Sequence, residues 1–237
     1  MGRQIAFALH RAKILHDIKG QAVPTVIPKA WVFAKKGSAN GCQRRSRENG
    51  TGKKKLQQIA RSGEYEIYFE DECHFKLTLT LIRAWFLAGS APRIKSPVDR
   101  FKYSIYGAMG RNGQLVIHAE EKFDADSFRR FLEVLLAKTC GQKKILLVLD
   151  NARYHHAKQL AEYIEEIKDR LELFFLPPYS PEINAIEMLW RKTRRSVTHN
   201  RYFEKLGDMK KELCEYWDRF SAPNEELARL CAFINVV

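Results

Sequence analysis

Three acidic side chains, Asp71, Asp150 and Glu187, stand where this sequence could do chemistry. Ile145-Leu146-Leu147-Val148-Leu149 is a wholly apolar run that stops abruptly at Asp150-Asn151. Such a run suits a strand buried on both faces, as parallel sheets require. A charge is excluded from its interior, so Asp150 falls at the carboxyl edge, where open α/β sheets place their ligands. Tyr65-Glu66-Ile67-Tyr68-Phe69 is aromatic and β-branched, hence a strand, and it runs into Glu70-Asp71-Glu72 at its end. Glu187 lies in the first turn of a helix that follows another short apolar strand, 171–176. Each acid also has a purely architectural reading. Asp150-Asn151 opens a turn or caps a helix, Asp71 ends a strand, and Glu187 compensates a helix N-terminus.

If the strands of Asp71 and Asp150 are parallel neighbours, both carboxylates leave the sheet at one edge, and the helix of Glu187 need only start there. Three unpaired carboxylates at close quarters repel one another and resist ionisation. Divalent cations remove that penalty, and an oxygen-only donor set suits magnesium or manganese. Two such ions about 4 Å apart activate a nucleophile and stabilise the leaving oxygen of a phosphodiester. Among the neighbouring acids, Glu70 and Glu72 point to the opposite strand face from Asp71 under period-two alternation. Glu182 precedes the helix and serves its N-terminus, whereas Glu187 falls one turn before Trp190 and Arg191. Trp190 reads as core rather than as a base-stacking platform. Arg191, Lys192, Arg194 and Arg195 make the same helix strongly basic, which suits phosphate tracking beside the acids.

The elements that must position these residues follow from the chain order. Further strands are expected over 75–87 and 101–107, and the Arg111-Asn112-Gly113 turn joins the latter to 114–119 as a hairpin. Helical spacing of Phe128, Phe131, Leu132 and Leu135 predicts a helix from Asp124, its cap, to Lys138. Another helix is expected over 156–170, and one from Asn184 through Trp190 and Arg195. Later helix should be interrupted near Gly207 and Pro223. The order is three strands able to pair as an antiparallel meander, then helix, strand, helix, strand and helices. Short links suit hairpins and helical crossovers suit parallel strands. The expectation is an α/β fold: a mixed five-stranded sheet with helices on both faces.

The chain has 237 residues, 45% of them hydrophobic and 29% charged, enough for one sizeable domain and an appendage. The net charge of +13 is uneven. Residues 1–63 hold 14 Lys and Arg against 2 Asp and Glu, or +12, and the remaining 174 residues hold 27 against 26, or +1. That asymmetry points to a polyanionic partner, with a solvated basic tail as the alternative. Residues 3–18 suit a modest amphipathic helix. The Gly-, Ser-, Asn-, Lys- and Arg-rich stretch 35–55 reads as a linker or disordered basic arm. The domain boundary is therefore expected at 63/64, with 1–63 as a basic arm or truncated DNA-binding region. The five cysteines are far apart with no CxxC pair, which argues against a zinc cluster or disulfide framework. No apolar run is long enough to span a bilayer and the start lacks a secretory h-region, so a cytoplasmic location is expected.

Three stretches then carry a family resemblance. Phe69-Glu70-Asp71-Glu72-Cys73-His74-Phe75 resembles the first acidic motif of DDE transposases of the mariner superfamily, particularly its bacterial insertion-sequence branch. Asp150-Asn151-Ala152-Arg153-Tyr154-His155-His156 resembles the second. The third is matched by residues 176–190, from Leu176-Pro177-Pro178-Tyr179-Ser180-Pro181 through Ile186-Glu187-Met188-Leu189-Trp190, with 36 residues between Asp150 and Glu187. Trp85, Gly89 and Pro92 also look familiar from between the first two acids. The resemblance covers residues 64–218 or so. It implies an RNase H-like fold and metal-dependent cleavage and joining of DNA, with water, then a released 3′-hydroxyl, as nucleophile. It makes Asp71, Asp150 and Glu187 the ligands of two divalent cations, Mg²⁺ with Mn²⁺ substituting, and implies no small-molecule cofactor. The expected partner is double-stranded DNA, both transposon ends and target, bound by a homodimer and, in a bacterium, at the nucleoid. Asn151, His155, Arg191, Lys192, Arg194 and Arg195, with Lys53, Lys54 and Lys55 of the arm, are the expected DNA contacts. Asn151 and His155 also have orienting and packing alternatives. Family members carry tandem helix-turn-helix modules before the catalytic domain, and residues 1–63 show no complete one. A truncated, unproductive DNA-binding remnant is therefore the competing reading, and a cellular nuclease on the same fold is a third.

Overall fold

Strand β1, Tyr65–Lys76, runs through the centre of the sheet and carries Asp71 in its interior, not at its end. This is seen in a computed structural model of the chain that describes residues 39–82, 95, 101–139, 141–177 and 183–234, with side chains from residue 50 onward. β1 pairs antiparallel with β2, Lys102–Gly110, which turns through Arg111–Gly113 into β3, Leu115–Ala119. Gly113 takes a φ of +84°, a left-handed turn conformation in which glycine carries no Cβ penalty. On its other side β1 pairs in parallel with β4, Lys144–Leu149, and β4 pairs in parallel with β5, Leu171–Phe175. The resulting order is β3-β2-β1-β4-β5.

Among the described residues, no separate strand forms within the expected 75–87. β1 itself reaches Lys76 because β2 stays paired with it to the end, residues 77–82 are not strand, and 83–87 lie outside the described residues. The parallel ladder to β4 stops earlier, at Phe69–Val148. Glu70-Asp71-Glu72 therefore sits on a half-paired stretch beyond the end of β4. That is why acids are tolerated inside a strand.

Period-two alternation sends the sheet's side chains into two cores. On one face Ile67, Phe69, Phe75, Leu146 and Val148 pack with α1 (Ala39–Ser62), α4 (Ile186–Thr193) and α5 (Leu206–Asp218). On the other, Tyr68, Tyr106, Leu147 and Leu149 pack under α2 (Ala125–Lys138) and α3 (Lys158–Glu166). α2 begins as the sequence indicates. Asp124 accepts from the Ser127 N–H at 2.9 Å, and Ser127 Oγ accepts from the Asp124 N–H at 2.9 Å. Phe128 and Phe131 on its inner face are fully buried, each worth about 1.5–3 kcal/mol over exposure. The helix expected over 156–170 is a 3-10 turn, Arg153–His156, followed by α3. The interruption expected near Gly207 falls just before α5, with Gly207 in its first turn, and Pro223 separates α5 from the short α6, Glu225–Ala228.

The basic stretch before β1 corrects a reading of the sequence. Residues 39–62 form a helix rather than a structureless linker. Its last three turns hold one apolar cluster, Leu56, Ile59 and Ala60, and Leu56 and Ala60 are buried in the first core. Gln57 Nε2 donates to the Phe233 carbonyl at 2.8 Å, and the Arg111 guanidinium caps the Ala60 carbonyl at 3.0 Å. The helix expected over 3–18 and the familiar Trp85, Gly89 and Pro92 lie outside the described residues.

Candidate active site

β1 and β4 are parallel neighbours, so the condition for two acids at one edge is met. Extending their register two residues past the Phe69–Val148 pair sets Asp71 opposite Asp150. Both follow the alternation of Ile67, Phe69, Leu146 and Val148, so they share the face on which α4 packs. α4 starts at this edge. Asn184, just before it, is buried and donates from Nδ2 to the Glu70 carbonyl at 2.8 Å, tying the helix start to the backbone of β1. Glu187, half-buried in the first turn, thereby faces the same cluster.

The electrostatics report that proximity. Burial holds Asp71 well above the ordinary carboxylate range, and Glu72, Glu187 and Asp150 push it further in the same direction. The Trp190 indole N–H opposes them, donating to Asp71 Oδ2 at 3.0 Å. Asp150 is exposed, and its Oδ1 accepts from the Ala152 N–H at 2.9 Å. The turn-opening role and the edge position therefore coexist in one residue. Asn151 holds the turn: Nδ2 donates to the Leu176 carbonyl at 2.9 Å, linking the ends of β4 and β5.

Glu70 and Glu72 occupy the opposite face of β1, as alternation requires. Glu70 is buried with neither carboxylate oxygen hydrogen-bonded, and burial first, then Glu72, Asp71 and Asp150, raise its pKa well above normal. Burial, then Asp150, lifts Glu72 to about 7. His155 corrects the expectation that it contacts DNA. Its ring is buried between Phe128 and Tyr154, 4.4 Å from each ring centre, where no phosphate can reach it. Nδ1 lies 3.2 Å from the Asp150 carbonyl, and Nε2 faces Glu72 Oε1 at 3.7 Å. Burial lowers its pKa to about 4, so the ring is neutral and acts as a spacer behind the two acids.

The basic residues divide by their partners. Arg191 and Arg195 are exposed on the outer side of α4 and the π-type turn, Arg194–Thr198, that prolongs it. Lys192 is paired with Glu226. Arg194 turns inward, donating to Cys73 Sγ at 2.9 Å and lying 5.5 Å from the Phe75 ring centre. Neither is a free phosphate contact. On α1, Lys54 and Lys55 are exposed and Lys53 is half-buried, with Lys53 and Lys55 lying 5.8 and 5.7 Å from the ring centres of Phe233 and Phe174. Glu182, with Pro178 to Pro181, lies outside the described residues.

Two residues of this site escape a sequence reading: Trp190 as a hydrogen-bond donor, and Gly107 beneath it. An isolated glycine within a strand signals close approach by another group. Here a Cβ on Gly107 would lie 2.4 Å from Trp190 Cη2. Among the described residues, no three His, Cys, Asp or Glu side chains are close enough to hold a metal ion as they stand. The donor chemistry nevertheless fits Mg²⁺ or Mn²⁺: oxygens only, mutually repelling, with Asp71 short of hydrogen-bond donors. Such ions keep several waters and need only one or two carboxylates each.

Comparison with known proteins bears on the family and the fold. The DDE superfamily endonuclease family matches residues 66–210, well over half of the chain. An insertion element IS630 uncharacterized 39 kDa protein of Shigella sonnei is 24% identical over 161 residues, covering 68% of this chain and 47% of that protein. An uncharacterized protein of Sinorhizobium fredii is 34% identical over 74 residues, 31% of this chain and 51% of that one. The chain thus spans about half the length of these curated relatives. Among solved structures, a pre-cleavage Mos1 transpososome superposes with a TM-score of 0.60 at 17% identity, covering 97% of this chain and 66% of that one. The catalytic domain of Mos1 mariner transposase gives 0.52 at 17%, covering 80% and 85%. These likenesses establish the RNase H-like fold. The chain belongs to the DDE superfamily endonucleases.

Proposed function

We propose that this chain is the catalytic part of a transposase that cleaves and joins DNA strands through Asp71, Asp150 and Glu187. The observation that carries the reading is the register that sets Asp71 opposite Asp150, with the Glu187 helix anchored to the same edge. The three acids would hold two divalent cations, Mg²⁺ or Mn²⁺. When bound, those cations supply electrostatic stabilisation of the attacking and leaving oxygens of a phosphodiester. Solved Mos1 paired-end complexes with Mn and with Mg support divalent-metal use by relatives of the same fold.

The chain's own residues do the rest. β1 and β4 fix two carboxylates on adjacent rigid strands, and α4 brings the third. Asn151 and His155 hold the backbone around Asp150. Arg191 and Arg195 present free positive charge one and two turns beyond Glu187, placed for phosphates on either side of the reacting one. In the cleavage step water adds to phosphorus as the P–O3′ bond breaks, releasing a 3′-hydroxyl. In strand transfer that hydroxyl displaces a 3′-oxygen of the target. The partner is double-stranded DNA, bound by two copies of the chain. The intact acids, and a family match that embraces all three, favour this reading over the inert remnant.

The test is nicking of supercoiled plasmid in Mn²⁺ by the wild type and by Asp150→Asn. Nicking by the wild type alone supports the reading. Equal nicking by both, or none by either, overturns it.

A further inference from the structure

Trp190 belongs to the core by burial, yet it is the only described side chain that hydrogen-bonds a carboxylate oxygen of Asp71. The indole is 1% exposed, edge-on to Phe75 and Trp217, so its position is set by packing and not by the carboxylate. Its N–H, shielded from bulk solvent, donates to Asp71 Oδ2 at 3.0 Å. The approach is possible because Gly107, the β2 residue paired with Asp71, leaves room beneath the ring. Trp190 is also one helical turn beyond Glu187, so a single rigid helix carries both the third acid and the donor to the first.

The geometry points to Trp190 as a positioning residue for the metal-binding carboxylates, on the reading of Asp71, Asp150 and Glu187 given above. The indole N–H pins Oδ2 and leaves Oδ1, which makes no hydrogen bond among the described residues, as the oxygen offered to a cation. Asp150 is arranged alike: the Ala152 N–H holds Oδ1 and leaves Oδ2. Each aspartate thus has one oxygen anchored by the protein and one presented. Partners of this kind orient a ligand and favour its ionised form, and losing one typically weakens metal affinity about 10- to 100-fold. Because α4 delivers Glu187 and the indole together, its docking sets two acids in one movement.

The experiment is a Mn²⁺ titration followed by thermal unfolding of the whole chain, comparing wild type, Trp190→Phe and Asp150→Asn. Phenylalanine keeps most of the packing and removes the donor. The expected result is a Mn²⁺-dependent rise in Tm for the wild type, whose midpoint moves to at least about tenfold higher Mn²⁺ in Trp190→Phe. A lower metal-free Tm with an unchanged midpoint would reduce Trp190 to core and overturn the inference. If the wild type shows no rise that Asp150→Asn abolishes, the carboxylate reading itself fails. A second measurement needs no variant at position 190 to fold. The Trp190 indole ¹H–¹⁵N resonance, assigned through Phe variants of Trp31, Trp85 and Trp217, should shift on Mg²⁺ addition to the wild type and stay fixed in Asp150→Asn. An indole signal indifferent to Mg²⁺ in both also overturns it.

Discussion

Adding a single methyl group at Gly107 tests the packing behind the site most directly. The Cβ of Gly107→Ala would lie 2.4 Å from Trp190 Cη2, 2.6 Å from Cζ2 and 3.1 Å from Ile186 Cδ1. Carbon atoms in contact prefer about 3.5–4.0 Å, so the ring must retreat by roughly 1 Å or more. It cannot do so freely, because Phe75 and Trp217 pack against it. Overpacking of this sort typically costs about 1–3 kcal/mol, and the upper end applies where both partners are rigid. For a unit the size of Ser38–Val237 each kcal/mol lowers Tm by about 2–4 °C, giving a fall of roughly 6–12 °C. Thermal unfolding followed by circular dichroism measures this. Trp190→Phe removes the clashing ring atoms, so the double variant should be less destabilised than the sum of the singles, by at least about 1 kcal/mol. Additive costs, or an alanine variant within about 0.5 kcal/mol of wild type, would refute the close approach.

Other expectations follow from the same contacts. His155→Phe keeps a buried ring but loses the link to the Asp150 carbonyl. Mn²⁺-dependent nicking should fall about 10- to 100-fold with DNA affinity unchanged, and a loss of affinity would restore His155 to the DNA surface. Arg191→Ala and Arg195→Ala should each weaken duplex binding and lower the salt slope by about 1 in anisotropy titrations. Arg194→Ala should instead lower Tm with little change in that slope, because its guanidinium is spent on Cys73 and Phe75. Leu56→Ala should cost about 2–5 kcal/mol in chemical denaturation, since Leu56 is fully buried. A surface-like cost there would detach α1 from the core. For the same reason the basic arm is better tested by neutralising Lys53, Lys54 and Lys55 than by deleting residues 1–63.

Much of the architecture could be read from local pattern. Ile145–Leu149 had no polar face to offer water, so a doubly covered strand was forced, and Asp150 had to follow its end. Asp124 and the spacing of Phe128, Phe131, Leu132 and Leu135 wrote α2 together with its cap. Where pattern failed, pairing or docking decided instead. The acids of β1 break its apolar alternation, so the strand looked finished at Phe69, and only its ladder with β2 carries it to Lys76. α1 has a single apolar cluster in a Gly-, Ser- and Lys-rich stretch, too little to signal a helix without the core on which it docks.

The sequence by itself determined the acids, their order and the strand and helix that bear two of them, because chain-local hydrophobicity and spacing dictate those elements. It also marked Glu70 and Glu72 for the other face, since alternation is a property of the strand alone. Tertiary structure decided which neighbours each side chain meets. It buried His155, paired Lys192 with Glu226 and turned Arg194 inward while leaving Arg191 and Arg195 free, and set an indole N–H against Asp71 over a glycine from another strand. These are contacts between residues up to 121 positions apart. No local pattern encodes them, because they exist only once the sheet register and the docking of α4 are fixed.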